Sequence, residues 1–283
     1  MKILHKLIFI LLVCVSGLVL RRALYKEHFT SLELHLIPQH IPASSPPSFE
    51  STIPRKVFMT WTTRELPPDM YKTILNNSKE NPEFDFYIYS EDECAEFISS
   101  NFDIEVVNTY KSLKPSAYKS DFWRYCVVYI HGGIYLDVKF KCMVPLNDII
   151  KQNKTMYVKD LVDNNVANGV LIAQPREPIF YKCIYKIVEN VKAKFYGVCS
   201  LHPTGPRLIG DILHEHSMQS AITMMGIVVD TPHSNKLRIV YKDDPTKILF
   251  DPYDTYRLEQ RALNTNDGVK YYVDMWKERD IYA

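Results

Sequence analysis

Between Ser116 and Cys142 the chain sets Asp121 three residues before Arg124, and Asp137 two residues before Lys139. Side chains two apart on a strand share a face, so Tyr135, Asp137 and Lys139 are expected together at the end of a strand over Ile134 to Val138. Ile134, Leu136 and Val138 then face the core. A carboxylate and an ammonium delivered there suit a small anionic ligand, because ligands of open α/β sheets sit beyond the carboxyl ends of the strands. Asp121 and Arg124 are neighbours on a helix surface, either as a plain surface ion pair or as part of the same site. The helix itself is well marked. Pro115 and Ser116 open it, with Ser116 as expected N-cap. Phe122, Tyr125, Cys126 and Tyr129 form one apolar stripe, and Gly132 or Gly133 supplies a left-handed stop.

The segment KSDFWRYCVVYIHGGIYLDVK resembles the donor-binding segment of the DXD-containing glycosyltransferases of family thirty-two. That family includes initiating α-1,6-mannosyltransferases, α-1,4-galactosyltransferases and inositol-phosphoceramide mannosyltransferases. Ser120, Asp121, Arg124, Gly132, Gly133, Tyr135 and Asp137 match its pattern, but the second aspartate of the D-x-D is Lys139 here. Weaker matches follow in family order. They are Ile53 to Trp61, Asn81 to Ile98, Asn168 to Phe180, the His202 to Pro206 loop and the YYVDMWKERDIY end.

The resemblance implies the GT-A nucleotide-sugar fold, a Rossmann-like α/β domain with a mostly parallel central sheet. It implies transfer of a hexose from a UDP- or GDP-sugar to a glycan or glycolipid acceptor, with retention of anomeric configuration and no protein nucleophile. Asp137 is then the catalytic and metal-binding acid of a divalent cation, Mn2+ or Mg2+, whose second acid is replaced by Lys139. Asp121 and Arg124 would hold the donor sugar's hydroxyls, and Tyr135 would line the same pocket. Trp61 would stack on the nucleobase or, alternatively, sit in the core. Asn168, Thr204 and Gly205 would border the acceptor. His202 is either a polar contact or structural. If Lys139 turns to solvent, Asp137 and other oxygens such as Asp274 hold the cation and metal use is retained but weakened, which is the expectation; if Lys139 faces the diphosphate, its ammonium supplies one positive charge and metal dependence falls. A degenerate, non-catalytic sugar-binding relative is the alternative. A dinucleotide oxidoreductase ranks lower, since no G-x-G-x-x-G follows an early strand.

With 283 residues, 46% of them hydrophobic and 24% charged, the chain can bury a sizeable core. A formal net charge of +1 gives no electrostatic case for nucleic acid. Alternating apolar segments predict strands at Lys56 to Trp61, Phe84 to Tyr89, Met156 to Lys159 and Gly169 to Ala173. Helices are expected from Asp69 to Lys79, after Ser90 with Glu93 as a capping box, and after Pro178. Strands alternating with helices predict a mostly parallel sheet.

The catalytic domain is expected over residues 53–283. Before it, Leu7 to Leu20 is an apolar run of 14 residues flanked by Lys2, Lys6, Arg21 and Arg22, short of the roughly 20 of a full span. It lies between a signal peptide and a signal anchor. No small-x-small cleavage site follows, so an anchor over residues 1–20 is expected. The family's usual arrangement implies a single-pass type II Golgi protein with a lumenal domain. Residues 21–52, rich in proline and serine, are expected as a stem. Asn76 and Asn153 begin glycosylation sequons. The cysteines beyond the anchor form one or two disulfides or remain buried thiols, and no C-x-x-C points to zinc.

Overall fold

The computed structural model describes residues 33–229, 236–267 and 270–283. In chain order its elements are β1 (His35–Leu36), β2 (His40–Ile41), β3 (Lys56–Thr60), β4 (Glu65–Leu66), α1 (Pro68–Glu80), β5 (Asp85–Tyr89), α2 (Glu91–Asn101), α3 (Ile104–Ser112), α4 (Ser116–His131), β6 (Gly133–Leu136), β7 (Phe140–Cys142), α5 (Leu146–Ile150), β8 (Met156–Lys159), β9 (Val166–Ala173), α6 (Pro178–Lys192), α7 (Pro206–Glu215), β10 (Ile222–Val229), β11 (Lys236–Tyr241), β12 (Ile248–Pro252), α8 (Tyr256–Asp267) and α9 (Tyr272–Lys277).

Ten strands form one sheet in the order β2-β5-β3-β6-β9-β8-β10-β11-β12-β7. The sheet is mixed rather than mostly parallel. Only β3–β5, β3–β6 and β8–β10 run parallel among the described pairings. Short connections explain the correction. β8 and β9 are joined by six residues, and β11 and β12 by a similar loop. Neither is long enough for a parallel crossover, which needs about a dozen residues or more. The α/β class holds, but alternation of strands and helices did not reveal these hairpins.

Apolar side chains cover both faces of the sheet. On one face Tyr135 and Leu171 pack with Phe122, Ile184 and Leu208 from the helices α4, α6 and α7. On the other, Ile134, Leu136 and Val138 join Val57, Phe86, Ile74 and Ile149. The two-residue alternation read for this strand is therefore real, although both faces end up dry.

Helix α4 is the centre of the first layer. Phe122 through Val128 are all buried, a wider burial than the single stripe expected, because α2, α3 and α6 close over its outer side. A helix covered on every side belongs to the core. It begins at Ser116 with Pro115 in the N-cap position, and no side chain caps it. It ends at Gly132, as expected for a glycine stop, but φ 64° and ψ −163° put this residue in the extended region open to glycine rather than in the left-handed helical cap expected, with its N–H bonded to the Val128 carbonyl. The Ser90–Glu93 capping box of α2 forms in both directions.

Residues 33–52, expected as a stem, pack onto the domain. β1 pairs with β4 and β2 with β5. Ile37 is fully buried, and Ser48 donates to Glu83. Proline-rich, extended backbone is compatible with an edge strand, so the composition of this stretch did not exclude pairing. The expected single-pass type II Golgi protein is corrected. No helix among the described residues is long and apolar enough to cross a membrane, and Leu7 to Leu20 lies outside the described residues. Cys94, Cys126, Cys142, Cys183 and Cys199 are free thiols. Asn76 is exposed on α1, whereas the side-chain oxygen of Asn153 accepts from Ser51 and Thr52 and ties the 51–53 segment down.

Candidate active site

β6 ends at Leu136, two residues earlier than the expected strand. Residues 137–140 then form a turn closed by the Phe140 N–H to the Asp137 carbonyl at 3.0 Å. That turn, not strand alternation, brings Lys139 back onto Asp137, with Nζ donating to Oδ2 at 2.6 Å. The Tyr135 hydroxyl donates to Oδ1 at 3.0 Å. The pair lies at the edge of the core, with side chains 21% and 24% exposed for Asp137 and Lys139. Glycine is required opposite it. A Cβ on Gly169 of β9 would stand 2.6 Å from Asp137 Oδ2, and the Gly169 carbonyl accepts the Asp137 N–H.

Arg124 is the hub. Its guanidinium donates to the Ser120 carbonyl, the Asn168 carbonyl and Asn168 Oδ1 at 3.1, 2.8 and 3.1 Å. It lies over the Tyr135 ring, 4.5 Å from the centroid. Neither carboxylate takes a direct hydrogen bond from it. Asp121 Oδ1 is 3.5 Å from Nη2 and Asp137 Oδ1 is 3.6 Å from Nη1. The guanidinium thus bridges two acids at ion-pair distance while neutral acceptors hold it in place.

Asn168 and Thr204, expected beside the acceptor, turn their side chains onto Asp121. Asn168 Nδ2 donates to Asp121 Oδ1 and to the Tyr125 hydroxyl at 2.9 and 3.0 Å, and Thr204 Oγ1 donates to Asp121 Oδ2 at 2.9 Å. Gly205 backs the same carboxylate, since a Cβ there would come within 2.9 Å of Oδ2. Asp121 and Arg124 are therefore no surface pair. The loop before α7 and strand β9 close over them.

The two acids titrate in opposite directions. Burial pushes the Asp121 carboxyl above its usual range, and the Arg124 charge with the bonds from Asn168 and Thr204 offsets this only in part. Burial acts the same way on Asp137, but the charges of Lys139 and Arg124 and the bonds from Lys139 and Tyr135 outweigh it and hold the carboxyl below its usual range. Burial drives the Tyr135 phenol well up.

The other expected residues sit further out. Trp61 follows β3, the parallel neighbour of β6, so it lies at the same end of the sheet. There it is half-buried against the apolar cluster beneath α1. His202 pairs with Asp211 at 3.2 Å and takes the Val198 N–H, a structural role. Asp274 pairs with Lys277 on the solvent face of α9, whose other side packs on the core through Met275 and Trp276. Sequence reasoning missed Tyr256. It is half-buried against the apolar cluster that holds Leu136, Val138 and Phe140, and there burial first, and then the charge of Asp137, raises its phenol. Glu259 of α8 accepts the Asp69 N–H at the start of α1 at 2.9 Å and the Tyr253 hydroxyl at 2.7 Å, and so docks the helix. No local motif marks Tyr256, since its place depends on that docking.

A divalent cation of the Mn2+ or Mg2+ kind at a diphosphate is held by one or two carboxylates together with the phosphate oxygens and water, so the carboxylates present must have an oxygen to spare. Asp137 spends Oδ2 on an ammonium and Oδ1 on a phenol facing a guanidinium. Among the described residues no three acidic, histidine or cysteine side chains converge on a metal position. The expected cation therefore does not fit the residues present, because position 139 supplies a positive charge where a ligand should be.

Residues 67–156 match the family model of the glycosyltransferase sugar-binding region containing the DXD motif. An uncharacterized glycosyltransferase of Acanthamoeba polyphaga mimivirus is 33% identical over 181 residues, which cover 62% of this chain and 70% of that protein. The chain belongs to the DXD glycosyltransferase family. A mannosyl phosphorylinositol ceramide synthase of Saccharomyces cerevisiae is 24% identical over 65% of the chain, and the chain spans about half of that relative, 48% of its length. Among solved structures, the PaToxG glycosyltransferase aligns over 94% of this chain and 95% of its own, with a TM-score of 0.46 and 13% identity.

Proposed function

We propose that this glycosyltransferase moves a hexose from a nucleotide-sugar donor to a hydroxyl of a glycan or glycolipid. The observation that carries the reading is the joint placement of Asp121, Arg124, Asp137 and Lys139 at one end of the sheet, with Asn168 and Thr204 fixing Asp121. Fixed acceptors and donors side by side are what a polyol requires. In this reading Asp121 and Arg124 orient the sugar hydroxyls, Tyr135 and Asp137 bound the pocket, and Trp61 flanks the base at the neighbouring strand end. Asn168, Thr204 and Gly205 hold Asp121 and border the acceptor side.

The reaction breaks the bond between the anomeric carbon and the β-phosphate oxygen, and the electron pair leaves with that oxygen. The acceptor hydroxyl oxygen bonds to the anomeric carbon. Its proton goes to the departing phosphate, on the same face of the sugar, so configuration is retained and no side chain is needed as nucleophile. The domain over residues 53–283, with the 33–52 segment packed on it, supplies binding, orientation and charge. The fungal relative's name makes a mannose donor and an inositol phosphoceramide-type acceptor the first to try.

A panel of UDP- and GDP-sugars assayed for slow hydrolysis tests this directly. One sugar nucleotide hydrolysed well above the others, with the α-anomer released, is the expected result. Binding without hydrolysis of any member would overturn the enzymatic reading and leave a sugar-binding relative.

A further inference from the structure

We infer that the Lys139 ammonium is a built-in substitute for the divalent cation, so that this site binds and discharges a nucleoside diphosphate without metal. The inference rests on the donor-site reading above. Four observations carry it. Lys139 stands where the family motif has its second acid. It is locked to Asp137 by a turn that points both side chains to the partly open edge of the site. Its hydrogen bond to Asp137 uses one of three ammonium N–H groups, which leaves two for phosphate oxygens. The fourth is charge: one lysine carries the same net charge as an aspartate holding a divalent cation. The substitution therefore preserves the electrostatic balance of the site while removing the ligand that a cation would need.

The chemistry follows from that balance. As the bond from the anomeric carbon to the β-phosphate oxygen breaks, the electron pair collects on the diphosphate. A fixed positive charge beside it stabilises that state more than the ground state. Asp137 keeps the ammonium oriented, and Arg124, 3.6 Å from Asp137 on the other side, adds a second fixed cation. The acceptor's proton moves to the leaving phosphate, so the diphosphate departs protonated at one oxygen and the products balance.

Calorimetric titration of the full chain with UDP and with GDP, in excess chelator and again in manganese, reads this without any turnover. The preferred nucleotide is expected to bind equally, within about twofold, in both conditions. Loss of a charge-assisted bond in Lys139→Gln should weaken binding in chelator by about 10- to 100-fold. Lys139→Arg should retain most of it, which guards against a folding artefact. Lys139→Asp should bind tightly only when manganese is present. Wild-type binding seen only with manganese, or Lys139→Gln binding like wild type in chelator, would overturn the inference while leaving the donor site intact. Absence of binding by either nucleotide in both conditions would instead overturn the donor-site reading itself.

Discussion

Two clusters in this molecule are built from the same residue types and differ in how the charges meet. At the β11–β12 hairpin Arg238 grips Asp251 with both arms, Nε to Oδ1 at 3.2 Å and Nη2 to Oδ2 at 3.1 Å. Lys236 lies 2.6 Å from Asp254 and 3.6 Å from Asp251, and donates to the Pro252 carbonyl at 2.9 Å. Cation and carboxylate satisfy each other, and Asp251 is nearly buried. In the Asp121–Arg124–Asp137–Lys139 cluster the arginine stands back from both acids and gives its hydrogen bonds to carbonyls and to Asn168. Glycines 169 and 205 keep side-chain bulk away from the carboxylates. One cluster is closed on itself and holds two strands together. In the other only the arginine stands back, Lys139 pairing directly with Asp137 at 2.6 Å, and the donors these cations do not spend on the acids remain able to turn to a ligand. Residue composition does not distinguish the two, but the direction of the arginine fork does.

The sharpest way to break the comparison is to remove one acid from each cluster. Asp251→Ala strands Arg238 and Lys236, and loss of one partner of a buried pair costs about 3–5 kcal/mol. Urea unfolding should show that loss, with transfer per folded molecule unchanged. Asp137→Asn should do the opposite. Transfer should fall about 100-fold or more, as for removal of a group that acts in the transition state, with a smaller change in the unfolding midpoint. Turnover within about twofold of wild type would remove Asp137 from the chemistry.

Gly169→Ala tests the cleared space. A Cβ 2.6 Å from Asp137 Oδ2 must displace the carboxylate, and overpacking of this order costs about 1–3 kcal/mol. Initial rates should drop about tenfold while circular dichroism is unaltered. Rates equal to wild type would show that Asp137 tolerates displacement.

The smallest expected effect is on acid stability. Asp137 is held below its usual value of 3.8, so its ionised form stabilises the fold. That contribution is whole above about pH 4 and is lost as pH falls through the folded value. Asp121 is pushed above 3.8, so its ionised form costs stability at neutral pH and the cost fades in acid. Melting curves between about pH 6 and about pH 3 should therefore be flatter for Asp137→Asn than for wild type, and steeper for Asp121→Asn. Parallel curves for both variants would contradict the opposite environments of the two acids.

Much of the site was legible because it is local. The apolar repeat of α4, the stop at Gly132, the alternation through β6 and the three-residue spacing of Asp121 and Arg124 all lie within one helix-and-strand unit. Side-chain direction there follows from backbone period alone. The α/β class and the Ser90–Glu93 cap were legible for the same reason. Family resemblance added the identity of the donor segment and the departure at Lys139.

Only the tertiary structure decided the rest, and each case involves residues far apart in the chain or a turn at the end of a strand. Asn168 and Thr204 reach Asp121 across 47 and 83 positions. No period relates such residues, since their meeting depends on which strands pair and where α7 starts. Residues 33–52 look like a spacer by composition, yet edge pairing with β5 and burial of Ile37 make them part of the domain. Alternating elements suggested a parallel sheet, and short hairpins made it mixed. Asp137 and Lys139 were expected on one face of a strand, and a turn brought them into contact instead. The sequence by itself determined which charges this site contains and which cation replaces the motif's second acid. Tertiary packing determined that Arg124 bridges both acids at ion-pair distance without a direct hydrogen bond to either, because its neutral partners come from strand β9 and from the backbone of its own helix.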